Sequence, residues 1–264
     1  MGHDEQVYEN VIVPNDRSRE GRIVFAPAAD LAWRCGARVV NVSNTDVSSK
    51  SAQAAVKQQA IFKTAADVEY WVDLDHTLAE ATLKAASFRP APIICAASAE
   101  RRSRLFGRRK PQLSSVVATL AEQAEVPVLV VGPVTDTSRG LPMTELVVVL
   151  DGTPEGDAVL PSAVTWAEQF KLRLIFTALS EHGPLTDRSS VQQHIDLKAN
   201  SVEAPGGVGV ELVQGAGGVD DLATLLAAHE DAVVMLAAGP VGTPLSKDGA
   251  ALILVSPRAV VLAR

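Results

Sequence analysis

Short apolar runs closed by turn residues alternate along this chain with longer stretches rich in alanine and leucine. Val11–Pro14, Arg38–Ser43, Asp67–Val72, Pro92–Ala97 and Val126–Val131 read as strands, and so do Leu146–Leu150, Arg173–Ala178, Val208–Val213, Ala232–Ala237 and Ala259–Arg264. Aliphatic and β-branched runs without polar alternation fit strands buried on both faces, as in a parallel sheet covered by helices. The intervening pattern predicts helices over about Glu20–Cys35, Lys50–Thr64 after a Ser48 cap, His76–Ala86 after an Asp75 cap, and Leu113–Gln123. In the second half it predicts them over Glu155–Phe170, within Ser180–Val202, and over Val219–His229. Room for about two helical turns remains near Gly249–Leu254. Strands alternating with helices specify an α/β fold, a parallel, doubly wound sheet flanked by helices.

The order of elements occurs twice. Glu145–Thr153 reads E-L-V-V-V-L-D-G-T and Glu9–Ser18 reads E-N-V-I-V-P-N-D-R-S. Asp16 and Asp151 lie 135 residues apart, as do Arg38 and Arg173. Ala81–Ala86 (A-T-L-K-A-A) matches Ala223–Ala228 (A-T-L-L-A-A) at 142, and Val68-Glu69 matches Val210-Glu211 at the same offset. Matches that keep strand and helix order together mark two tandem copies of one domain. The expected organisation is a first domain over 1–132, a linker over 133–142, and a second domain over 143–264. The second copy loses about seven residues between its fourth and fifth strands, which predicts a shortened fourth helix there. Two sheets of five strands follow, each ending on an apolar edge strand that needs covering. Pairing of the two fifth strands would make the chain an internal pseudo-dimer.

Composition narrows the function. The chain is 47% hydrophobic but only 4% aromatic, so the cores are built from alanine, valine and leucine. No apolar stretch is long enough to span a membrane and no leader pattern opens the chain, which predicts a soluble, cytoplasmic protein. A net charge of −7 argues against nucleic-acid binding. Cys35 and Cys95 have no C-x-x-C spacing and are expected as buried thiols.

The strand ending in Asp-Gly-Thr at Leu146–Thr153, the Ser114-Ser115-Val116 opening of the fourth helix, and the V-P-V-L-V-V strand Val126–Val131 together resemble the universal stress protein family. The resemblance covers nearly the whole chain, as a tandem two-domain member. It implies five-stranded parallel sheets of the Rossmann-like, adenine-nucleotide-hydrolase type, with ATP at the carboxyl ends of strands one and four. An Asp after strand one, here Asp16 and Asp151, would meet the nucleoside. A loop of form G-x2-G-x9-G-(S/T) would hold the phosphates on backbone N–H groups and a helix N-terminus. Both copies depart from that loop. In the first, the glycine positions fall at Ala97 or Ser98, near Glu100 and at Ser114, and only the closing Ser115 remains. In the second, Gly239-Pro240-Val241-Gly242 keeps the first glycine pair, but the closing G-(S/T) is missing.

The remaining candidate chemistry is modest. Arg101–Lys110 has six basic residues in ten within the loop where the family holds phosphates. Arg101, Arg102 and Arg104 could replace backbone amides as an anion site, or the run could be a solvated loop. Asp16 and Asp151 suit a ribose hydroxyl, and they also suit a turn or helix cap. Trp33 and Trp166 stand at matching places on the first helix of each copy and are expected in the core. Neither His76, His182, His194 nor His229 has metal-ligand spacing, and no G-x-S-x-G elbow is present. The sequence therefore predicts a non-enzymatic regulatory protein with degenerate nucleotide sites, acting through an unknown protein partner or weak ligand sensing. The alternative is a genuine ATP or adenine-nucleotide sensor, with possible slow hydrolysis, using Asp16, Ser114, Ser115, the three arginines, Asp151, Gly239 and Gly242.

Overall fold

Ten strands form one sheet in the order β3-β2-β1-β4-β5-β10-β9-β6-β7-β8, which reads 3-2-1-4-5 from either end. The computed structural model describes residues 7–16, 18, 21–45, 67–98, 112–179, 188–213 and 217–264. The first half comprises β1 (Asn10–Pro14), α1 (Phe25–Cys35), β2 (Arg38–Ser43), β3 (Val68–Val72), α2 (Leu78–Ser87), β4 (Pro92–Ala97), α3 (Ser115–Gln123) and β5 (Val128–Val131). The second comprises β6 (Glu145–Leu150), α4 (Pro154–Asp157), α5 (Leu160–Phe170), β7 (Arg173–Ala178), α6 (Arg188–Ala199), β8 (Val208–Val210), α7 (Val219–Ala228), β9 (Ala232–Ala237), α8 (Lys247–Val255) and β10 (Val260–Ala263). Every pairing is parallel except that between β5 and β10, where Val130 faces Val260 and Val128 faces Leu262.

The apolar runs form strands because helices cover both faces. Val11, Phe25, Leu31, Leu146 and Trp166 lie in one layer, and Ile12, Ile94, Leu120, Val147 and Ile253 in the other, so each layer runs through both halves. Cys35 and Cys95 are free, buried thiols; burial pushes Cys35 up to about 12 and raises Cys95 further. Among the described residues, no helix is long and apolar enough to cross a membrane.

Several expected elements change on inspection of their ends. The α2 helix is capped by Thr77 rather than Asp75. The Thr77 hydroxyl accepts from the Glu80 N–H while the Glu80 carboxylate accepts from the Thr77 N–H, which satisfies two orphan donors at once. The long helix expected over Glu155–Phe170 is broken into α4 and α5, and the first helix of the first half opens with a 3-10 turn at Gly21–Val24. The fourth helix of the second half is not shortened: α3 and α8 each have 9 residues. The deletion falls instead between the fourth strand and the cap of the fourth helix, residues 238–245 standing against 98–113. The helix expected over Lys50–Thr64 lies outside the described residues.

Trp33 is not in the core; it is 63% exposed, whereas Trp166 is 1% exposed. Both first helices end on a left-handed residue, Gly36 and Lys171, and this fixes their true alignment at 135 residues. Trp166 therefore matches buried Leu31, and Trp33 matches Glu168. A two-residue error turns a side chain about 200° around a helix, from core to solvent.

Candidate functional site

In an open α/β sheet the crevice lies where neighbouring strands send their connections to opposite faces. Here that happens between β1 and β4, and again between β6 and β9. Asp16 follows β1 and Asp151 follows β6, so both stand at the carboxyl ends of the expected strands.

Each aspartate is the first residue of the same turn. Ser18 N–H donates to Asp16 Oδ1 (2.8 Å), and Gly21 N–H donates to Ser18 Oγ (2.7 Å). In the second half, Thr153 donates to Asp151 Oδ1 from its N–H (2.9 Å) and its hydroxyl (2.6 Å), and Gly156 N–H donates to Thr153 Oγ1 (2.9 Å). A Cβ on Gly21 or Gly156 would collide with the aspartate carboxylate. The pattern is thus D-x-(S/T)-x-x-G, which the sequence carries in both halves but which inspection of the strands alone missed. One carboxylate oxygen of Asp151 is used by its own turn, and Oδ2 makes no hydrogen bond among the described residues.

Beside Asp151 lies a cavity of about 400 Å³, lined among others by Val149, Thr153, Leu236, Ser246, Lys247 and Asp248. Ser246 caps α8, its hydroxyl accepting from Gly249 N–H (3.0 Å), just as Ser114 caps α3 by accepting from Val117 N–H (3.2 Å). A serine therefore does open the second fourth helix, with Lys247 in the place of Ser115. The compressed loop hid it: Ser246 falls four residues after Gly242. The cavity can hold a small polar ligand through Asp151 Oδ2, the Lys247 ammonium and the start of α8, with the carboxylates of Asp151 and Asp248 opposing any high negative charge.

The glycine pair does not border this cavity. Gly242 N–H donates to Glu122 O of α3 (2.8 Å), and Gly239 O accepts from Arg264 Nε (2.8 Å). Arg264 also donates to Ala121 O (2.6 Å), Glu122 O (3.1 Å) and Ala124 O, capping the end of α3. Gly239 and Gly242 are in left-handed conformations, φ 77° and 82°, that suit this excursion onto the first half. The Gly242 N–H is thus engaged across the seam between the halves.

In the first half, Ser114 N–H donates to the buried Ser98 Oγ (3.4 Å), which holds the cap of α3 to the carboxyl end of β4. Ser115 is the exposed first residue of α3. Arg101, Arg102 and Arg104 lie outside the described residues. A larger groove, about 810 Å³, lies at the opposite ends of β1–β3, lined by Trp71, Phe88 and Arg89 among others, away from all of these candidates.

Among the described residues no group of His, Cys, Asp and Glu could hold a metal ion. Each described histidine lies within hydrogen-bonding distance of a carboxylate: His76 of Asp73 (2.8 Å), His194 of Asp157 (3.1 Å), and His229 of Glu145 (2.7 Å) and Glu211 (3.0 Å).

No family model matches the sequence, and no curated protein matches it. Solved structures do resemble it. A universal stress protein from Archaeoglobus fulgidus superposes with a TM-score of 0.62 at 14% identity, covering 98% of this chain and 99% of that one. A putative universal stress protein from Pseudomonas aeruginosa gives 0.60 at 14% identity, covering 97% and 93%. A functionally unknown protein from Pseudomonas aeruginosa gives 0.57 at 15%, covering 97% and 92%. At this level of identity the likeness is one of architecture: over nearly its whole length, the chain has the universal stress protein fold.

Proposed function

We propose that this chain is a non-enzymatic regulatory protein of universal stress type, acting through a protein partner or through weak sensing of a small ligand. The observation that carries this reading is that Gly239 and Gly242 are not among the residues lining the second-half cavity, the Gly242 N–H being spent on Glu122 O of α3 and the Gly239 carbonyl on Arg264. A triphosphate needs converging backbone N–H groups and compensating charge. The cavity offers one ammonium, Lys247, beside two carboxylates, Asp151 and Asp248. Work in the cytoplasm is in keeping with the free, buried thiols Cys35 and Cys95.

A second reading, an adenine-nucleotide sensor, is favoured by the position of that cavity at the strand switch point beside Asp151. Thermal shift with ATP–Mg²⁺, AMP and cyclic AMP, together with extraction of carried nucleotide from the purified protein, separates the two. A ligand at 100 times its dissociation constant adds about 2.7 kcal/mol. No shift and no carried nucleotide are expected; a shift of that size with ATP would establish the second reading instead.

A further inference from the structure

On the side of the sheet where β1 and β6 begin, opposite the cavity, a basic side chain in each half holds a carboxylate of the outer strand or of the residue just after it. In the first half Arg89, just past α2, pairs with Glu69 on β3. In the second half His229, at the end of α7, stands where Arg89 does, while the strand register puts Gly209 in the place of Glu69, and the acid is Glu211, one residue past the carboxyl end of β8. His229 Nε2 lies 3.0 Å from Glu211 Oε2, and its Nδ1 lies 2.7 Å from Glu145 Oε2 on β6.

A carboxylate only accepts hydrogen bonds, so a ring with a carboxylate on each nitrogen needs a proton on both. The neutral ring has one donor. Losing a proton turns one of the two contacts into a lone pair facing a lone pair. Arginine does not lose its proton in this range, so the first-half pair has no such weakness.

The surroundings keep this charge balance local. Arg173 on β7 is held by Glu145 (3.2 Å), and Arg139 by Asp231 (3.1 Å), with Glu230 at 4.0 Å. Arg258, ahead of β10, donates to the His229 carbonyl (2.8 Å) and to Leu226 O (3.3 Å). Burial of the ring opposes its charge, but the hydrogen bonds to Glu145 and Glu211 outweigh it and raise the pKa above the ordinary histidine value. The strand so fastened is slight: β8 has three half-buried residues and, among the described residues, pairs only with β7.

We propose that His229 is a proton-operated fastener, which when doubly protonated ties the end of β8 to β6 and α7, and when neutral lets that outer edge open. Because the folded pKa is raised, the contribution is complete below the unfolded value of about 6.5 and is lost as pH rises through the folded value. The Arg89 pair leaves the first-half edge closed throughout.

Hydrogen exchange of the full chain at about pH 6 and about pH 9, corrected for intrinsic rates, reads this directly. Exchange at Val208–Glu211 is expected to rise by about tenfold relative to Val68–Val72, a change of about 1.4 kcal/mol in local opening. His229→Arg is expected to abolish the pH response, and His229→Gln to leave the edge open at both values. Equal responses at β3 and β8, or a His229→Arg protein that keeps the wild-type response, would overturn the proposal. Proton NMR titration of wild-type His229 is independent of any variant's folding: a pKa above the ordinary value supports the fastener, and one at or below it sinks it.

Discussion

The indole N–H of Trp166 donates a 2.7 Å hydrogen bond to the hydroxyl of Tyr8, joining the first helix of one half to the strand lead-in of the other. The rings meet edge to face at 6.1 Å, and both side chains are buried. Burial raises the Tyr8 pKa well above the phenol range, so the hydroxyl remains protonated as the partner of the indole. Tyr8→Phe leaves the indole N–H without its partner and should cost about 1–3 kcal/mol, read by urea unfolding. Trp166→Ala should cost more, about 3–5 kcal/mol, because it also empties the volume between the halves. Equal stability of Tyr8→Phe and wild type would show that the contact is not a significant bond.

Arg264 caps α3 from the other half through three carbonyls and holds Gly239 through a fourth. Arg264→Ala should lower stability by about 2 kcal/mol, the scale of a hydrogen bond to a charged group. It should also make Gly239–Gly242 the first site of limited proteolysis. Unchanged cleavage there would mean that the Gly242–Glu122 bond suffices alone.

Gly156 admits no side chain because the Asp151 carboxylate occupies the space. Gly156→Ala should therefore destabilise by about 1–3 kcal/mol, although the same change in an open helix stabilises by about 1 kcal/mol. Adding Asp151→Ala should cost less than the two changes summed, since the second removes the obstruction created by the first. Chemical denaturation of the two single variants and the double variant measures this coupling.

Asp73, almost fully buried after β3, takes hydrogen bonds from Lys84 Nζ (2.9 Å), His76 (2.8 Å) and Asp75 N–H (3.1 Å). The Lys84 bond, followed by that of His76, holds its carboxyl far below the usual range. The stabilisation is present above the unfolded value of about 3.9 and is lost as pH falls towards the folded value. Lys84→Met should raise the midpoint of acid unfolding while leaving stability near neutral pH less affected than Asp73→Asn. An acid midpoint identical to wild type would remove Lys84 from this account.

Strands were the most legible part of the sequence, because burial on both faces writes itself into consecutive residues. Pro92–Ala97 and Arg173–Ala178 span the residues the apolar pattern marks. Helix ends were less so, since the Thr77–Glu80 box and the Gly156 turn depend on side chains meeting in space. The exposure of Trp33 is not legible from its likeness to Trp166, because the helix ends make Leu31 the counterpart of Trp166. Of the residues lining the second-half cavity, Asp151 is the one the strand pattern points to. Ser246 was hidden by a shorter loop, and nothing in Gly239–Gly242 reveals that its backbone is held by Arg264 and Glu122, because that depends on how two distant segments pack.

The antiparallel join of β5 to β10 makes neighbours of strands that are synthesised far apart in time. β5 is complete at Val131, but its partner strand starts only at Val260. During translation the first half must therefore wait with an apolar edge uncovered until β10 has emerged. A chain stopped before Val260 would expose Val128–Val131 to other nascent chains, which makes β10 a safeguard against aggregation during synthesis.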